Sequence, residues 1–190
     1  MGTDGRLYSR VWQQLPDSVC LNWPEYRGEK TIEAIARRMV EENQIPDGSV
    51  IIGTSLGGMV GCEIARLRSL RALVLVSSAV HPEEVNRFFC KSHPTIDWIP
   101  IQLLQTLAGA VPMAVPQMFH HGHPSFIRAM CHAIFRWKGL EKNLITPLRI
   151  HGTGDFLIPL PKSVDKTIRG GHLIVRSHAQ ECVDFICSRL

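Results

Sequence analysis

Residues 53–58 read Gly53-Thr54-Ser55-Leu56-Gly57-Gly58, a Gly-x-Ser-x-Gly pattern whose surroundings set the fold class. Upstream, residues 49–53 form a short apolar run that reads as a strand. Downstream, residues 56–70 carry Met59, Val60, Ile64 and Leu67 on one side of a helix. A serine on a tight strand-to-helix turn is forced into strained backbone, and small residues two before and two after it let the flanking elements close up. The turn lifts the hydroxyl to the carboxyl edge of a sheet and to the positive end of a helix, where the Leu56 N–H can stabilise a developing oxyanion. Two other glycine motifs are excluded. A dinucleotide fingerprint needs a Gly-x-Gly-x-x-Gly spacing that Gly53, Gly57, Gly58 and Gly61 lack, and a P-loop needs Gly-Lys-Ser/Thr.

Outward from this turn the chain alternates strands and helices. Residues 19–23 read as a short strand, and Ile32, Ile35, Ala36, Met39 and Val40 follow the stripe of an amphipathic helix. Asp47-Gly48 is turn punctuation. Residues 72–76 form a continuous apolar run, the mark of a parallel strand covered on both faces. Residues 148–151 form another strand, Thr167 and Ile168 sit in a weaker one, and residues 179–190 close the chain as an amphipathic helix. This alternation predicts an α/β fold: a mostly parallel sheet of about five strands with helices on both faces. Between Val80 and Leu144 the alternation stops, and a stretch rich in Met, Phe, Trp and Pro reads as a helical insertion. No internal repeat or low-complexity tract marks a second domain.

Composition narrows the function. The 190 residues, 45% hydrophobic and 20% charged, suit a single globular domain. The net charge of +4 is scattered except at Arg37, Arg38 and the group Arg66, Arg68, Arg71, which is no nucleic-acid footprint. Cys20, Cys62, Cys90, Cys131, Cys182 and Cys187 contain no Cys-x-x-Cys pair and follow no secretory segment, so reduced thiols in a cytoplasm are expected. Residues 98–127 hold no Asp, Glu, Lys or Arg, yet Pro100, Pro112, Pro116 and Pro124 with Gln102, Gln105 and Gln117 argue against a membrane span. A buried or pocket-lining insertion fits better. His120, His121 and His123 lack the helical spacing and the neighbouring carboxylate of a metal site, so no metal is expected. Cys62 and Cys131 read as small core residues, and His132 and His178 as structural histidines within helical patterns.

A nucleophilic serine needs a base, and the base an orienting acid; in a sheet of this kind they follow in the order Ser, Asp, His. Residues 148–151 are followed by Gly152-Thr153-Gly154-Asp155, and the next short strand by Gly170-Gly171-His172. Three loops on one sheet edge would thus present Ser55, Asp155 and His172. Asp165 is a rival acid, but it precedes its strand.

On these pieces, with Pro159 after the acid loop, nearly the whole chain resembles the α/β-hydrolase family. The resemblance implies one domain over residues 1–190, with a cap insertion at about 81–145. It implies Ser55 as nucleophile, His172 as general base and then acid, Asp155 as its orienter, and hydrolysis of an ester or similar acyl bond without cofactor. Residues 2–8, Gly2-Thr3-Asp4-Gly5-Arg6-Leu7-Tyr8, are similar to the family's oxyanion loop. The strand that precedes that loop is missing, and Met1 stands where the second oxyanion N–H is expected, beside that of Leu56.

The insertion speaks to substrate. Leu104, Met113, Met118 and Phe119, with Leu103, Leu107, Phe126 and Met130, are numerous enough to line an apolar slot for a small, partly apolar ester. The expected partners are a small-molecule ester, no nucleic acid and no membrane span, with a homodimer left open. Two alternatives stand beside the esterase: a binding or scaffold protein of the same fold with impaired turnover, and a thioesterase or acyltransferase on the same triad.

Overall fold

A computed structural model describes Tyr8, residues 10–86 and residues 124–190. Among them, four strands form one parallel sheet in the order β1-β2-β3-β4: β1 is Val50–Thr54, β2 Ala72–Val76, β3 Leu148–Gly152 and β4 Lys166–Ile168. The register pairs Gly53 with Leu75, Val76 with Ile150 and His151 with Thr167. Because every strand runs the same way, the loops after β1, β2, β3 and β4 all emerge at one edge.

The helices are α1 (Ile32–Glu42), α2 (Leu56–Leu67), α3 (Pro124–Arg136), α4 (Ile174–Ser177) and α5 (Ala179–Cys187), with 3-10 turns at Arg10–Gln14 and Pro82–Glu84. α1 starts where Thr31 Oγ1 accepts the Ala34 N–H at 3.1 Å, an N-cap that satisfies one of the donors a helix leaves open. It buries all five residues of its predicted stripe.

The continuous apolar run of β2 has a direct explanation in packing. Leu73 and Leu75 face a core built with α1, α2 and α3, while Val74 and Val76 join Ile150 and Ile168 against α4, α5 and Trp12. A strand with both faces covered cannot alternate apolar with polar residues. Trp12 closes the second layer by donating its indole N–H to the Val175 carbonyl at 2.8 Å.

Residues 80–86 and 137–140 form the neck of the excursion between β2 and β3. The Leu140 N–H bonds the Val80 carbonyl at 2.7 Å, and Arg66 on α2 reaches the Gly139 carbonyl at 2.6 Å. Trp137 donates to the buried Glu63 at 2.6 Å. Burial pushes the Glu63 carboxyl up, against the lowering pull of Trp137 and Arg66.

Three expectations need correction. Residues 19–23 join no strand ladder, and Val19 is 78% exposed, so only Leu21 and Trp23 of that run pack on the core; the sheet has four strands among the described residues. α2 ends at Leu67, because Arg68 is extended, and α5 ends at Cys187 rather than at the last residue. Among the described residues no helix is long and apolar enough to cross a membrane.

Candidate active site

Ser55 occupies the turn between β1 and α2 at φ 53, ψ −126, a left-handed conformation that a β-carbon disfavours. Its neighbours hold it there. The Ser55 N–H is shared between the carbonyls of Val76 at 3.3 Å and Ser77 at 3.2 Å, and the Ser55 carbonyl accepts from the Ser78 hydroxyl at 2.6 Å. Thr54 Oγ1 adds a bond to the Val76 carbonyl at 2.8 Å. The end of β2 therefore clamps the turn on both sides of the serine.

The glycines divide this work differently from the sequence expectation. A β-carbon on Gly53 would meet the Gly57 carbonyl oxygen at 2.4 Å, and one on Gly58 would meet Ser78 Oγ at 2.3 Å. One on Gly57 would meet nothing within 4 Å among the described residues. Close approach thus depends on Gly53 and Gly58, since the Gly57 backbone approaches Gly53 while a β-carbon of its own would be free of contact among the described residues. The first N–H groups of α2, Leu56 foremost, have no partner inside the helix and carry its positive partial charge.

Asp155 lies in the loop after β3, with its side chain fully buried. Oδ1 accepts the N–H groups of Leu157 and Ile158, both at 3.0 Å, a local turn that fixes the carboxylate's orientation. Oδ2 faces His172 Nδ1 at 2.8 Å and His151 Nε2 at 3.3 Å. Burial opposes ionisation, but the hydrogen bonds from His151 and His172, attraction to His172 and the Ile158 N–H outweigh it. Together they hold the Asp155 carboxyl well below its ordinary range.

His172 follows β4 and is 7% exposed. Its loop is laced to the acid loop by the Thr153 N–H to the Ile168 carbonyl at 2.9 Å and the Gly154 N–H to the Gly170 carbonyl at 2.8 Å. An ionised carboxylate only accepts, so Nδ1 carries the proton towards Asp155, and in the neutral form of the ring the lone pair is on Nε2. Such an imidazole can take a proton from a hydroxyl.

Other sequence candidates resolve in turn. Asp165 is bonded to the backbone of Arg149 in both directions, at 2.8 and 2.9 Å, near the amino end of β3 and away from the edge that carries His172. Met1, Leu104, Met113, Met118 and Phe119 lie outside the described residues, as do His120, His121 and His123. Phe126 and Met130 are buried on α3, Phe126 against the rings of Trp23 and Tyr26, and belong to the core rather than to an open slot. Burial pushes the Cys62 thiol up to about 12 and raises that of Cys131 as well, which leaves neither as a nucleophile. His178 Nδ1 pairs with Ser177 Oγ at 2.8 Å.

Sequence reasoning missed His151, which stands four residues before Asp155 near the carboxyl end of β3 and contacts its carboxylate. A strand-end histidine amid apolar neighbours was the available signal. It also missed the role of Ser77 and Ser78 in clamping the serine turn.

No family profile matches this sequence, and no curated protein matches it. Solved structures do. A lipase-esterase related protein from Clostridium acetobutylicum superposes with a TM-score of 0.74 at 17% identity, over 100% of this chain and 90% of the other. An esterase from Exiguobacterium antarcticum gives 0.73 at 14% identity, covering 98% and 87%. An alpha/beta hydrolase fold protein from Burkholderia ambifaria gives 0.66 at 12% identity, again over 98% and 87%. Parallel sheet, strand-to-helix turn and chain-long superposition agree that this chain has the α/β-hydrolase fold.

Proposed function

We propose that the protein is a serine hydrolase that cleaves carboxylic esters of small, partly apolar substrates through Ser55, His172 and Asp155. The observation that carries this reading is the 2.8 Å bond between His172 and the buried Asp155, formed at the sheet edge where Ser55 occupies its strained turn. The esterases among the superposed structures favour the same chemistry.

In this reading Ser55 Oγ attacks the ester carbonyl while His172 Nε2 takes the hydroxyl proton, and the carbonyl π electrons move onto oxygen. The Leu56 N–H faces that oxyanion, with a second donor assigned to Met1. Asp155 keeps Nδ1 protonated and stabilises the imidazolium. The intermediate collapses, the C–O bond to the leaving alkoxide breaks, and the alkoxide takes the proton from His172. Water then gives its proton to His172 and attacks the acyl-enzyme; Ser55 leaves, recovers the proton, and the acid departs. The excursion between β2 and β3 is assigned as the cap, with Leu104, Met113, Met118 and Phe119 as its substrate-pocket residues.

The test is covalent labelling by a fluorophosphonate together with turnover of a nitrophenyl ester. Labelling and turnover in the parent chain, both lost in Ser55→Ala, are expected. Folded parent protein that neither labels nor turns over overturns the reading.

A further inference from the structure

His151 Nε2 lies 2.7 Å from the Ile158 carbonyl oxygen and 3.3 Å from Asp155 Oδ2, in a residue 1% exposed. A carbonyl oxygen can only accept, so at that distance Nε2 must carry the proton; a bare lone pair there would face another. The acid's Oδ2 also only accepts when ionised. That N–H is bonded to the far limb of the acid loop, and the carboxylate lies against the same nitrogen as a second, longer contact. The imidazole is rooted on β3, whose His151 pairs in register with Thr167 of β4.

We propose that His151 is a positioning residue for the Asp155–His172 pair: its Nε2–H pins the Asp155 carboxylate and the Ile158 carbonyl in one arrangement, so that Oδ2 meets His172 Nδ1. This rests on the hydrolase reading above. The carboxylate is held from four directions, by the Leu157 and Ile158 N–H groups on Oδ1 and by two imidazoles on Oδ2. The backbone pair fixes the plane of the carboxylate through one oxygen only. His151 acts on the other, the oxygen that bonds His172. Without its donor, Oδ2 has one fewer partner in a site closed to water, and the loop from residue 152 to residue 158 loses its cross-brace.

Three variants separate this role from general packing. His151→Gln places an amide N–H near the reach of Nε2. His151→Asn is equally polar but stops short of it. His151→Phe fills the space and removes the donor. Each is measured as folded protein for fluorophosphonate labelling rate and for kcat and KM on a nitrophenyl ester. The low-field proton resonance of the His172–Asp155 hydrogen bond is recorded alongside.

The expected result is a fall of about tenfold or more in labelling rate and kcat for Asn and Phe, from the loss of a hydrogen bond to a charged group. KM stays unchanged, the low-field resonance is lost or displaced, and Gln stays within about threefold of the parent on the same scale. If the Phe variant does not fold, the Asn and Gln pair decides. Parent-like labelling and resonance in the Asn variant overturn the proposal, and so does a Gln variant as impaired as Asn. A parent protein that never labels overturns the hydrolase reading and this proposal with it, whereas a labelling parent with indifferent variants overturns this proposal alone.

Discussion

The Ser55 amide N–H points at the Ser77 carbonyl 3.2 Å away, and both residues sit at positive φ, 53 and 45. Strain at the serine turn is thus matched by strain at the end of the neighbouring strand. Ser77 is fully buried, its hydroxyl has no hydrogen-bond partner among the described residues, and its N–H is committed to the Ile150 carbonyl at 2.9 Å.

Ser77→Gly relieves the left-handed strain and removes a buried hydroxyl without a partner. The gain outweighs the glycine's extra unfolded freedom, for a net stabilisation of about 1 kcal/mol. Urea unfolding checks it, and a lower midpoint at unchanged m contradicts it.

Asp155→Asn is expected to lower kcat by about 10⁴-fold while leaving the fold intact. The Leu157 and Ile158 N–H groups select the amide oxygen for the Oδ1 position, so the NH₂ group is turned towards His172. An NH₂ donor there forces Nδ1 to accept and moves the ring proton to Nε2, where the base is needed bare. Rapid labelling of this variant contradicts the assignment of Asp155.

The depressed Asp155 carboxyl also makes a stability prediction. Its folded value lies below the unfolded 3.8, so its contribution is fully present above that value and is lost as pH falls through the folded one. The part of the parent's advantage over Asp155→Asn that comes from this carboxylate's own titration is therefore complete above about pH 5. The difference shrinks as pH is taken below about 4. Thermal midpoints across pH 2.5–7 read it, and a gap that widens in acid refutes the sign.

Paired alanine substitutions test which glycine the serine turn needs. Gly58→Ala drives a methyl into Ser78 and breaks the bond that Ser78 gives to the Ser55 carbonyl, for a loss of about 1–3 kcal/mol. Gly57→Ala meets open space among the described residues and improves helix propensity, so its midpoint stays level or rises. Equal loss in both variants contradicts the structure.

Much of this was legible because the signals were local and repeated. The α1 stripe predicted its five buried residues, the run at 72–76 coincides with β2, and Asp155 and His172, both picked as loop residues after strands, meet at 2.8 Å. Residues 19–23 carried the composition of a strand without a ladder to join, and composition alone says nothing of pairing partners. His151 was visible as a strand-end histidine, but its task was not: that depends on the path of the loop after it, which returns the Ile158 carbonyl to the ring. The clamp from Ser77 and Ser78 was equally hidden, since it arises from strand adjacency across the sheet.

The bond between Val80 and Leu140 has a consequence for inheritance. The excursion departs and returns through that clasp, and its α3 is built into the core beside Leu73 and Leu75, so the pairing of Val74 with Leu148 is braced by both the clasp and α3. Doubling such a loop adds only about 0.6 kcal/mol of closure entropy. Descendants of this chain can therefore lengthen the sequence between residues 86 and 124 at small cost in closure, as one changes the head of a tool, while α3 and the clasp keep their grip on the chemistry beneath.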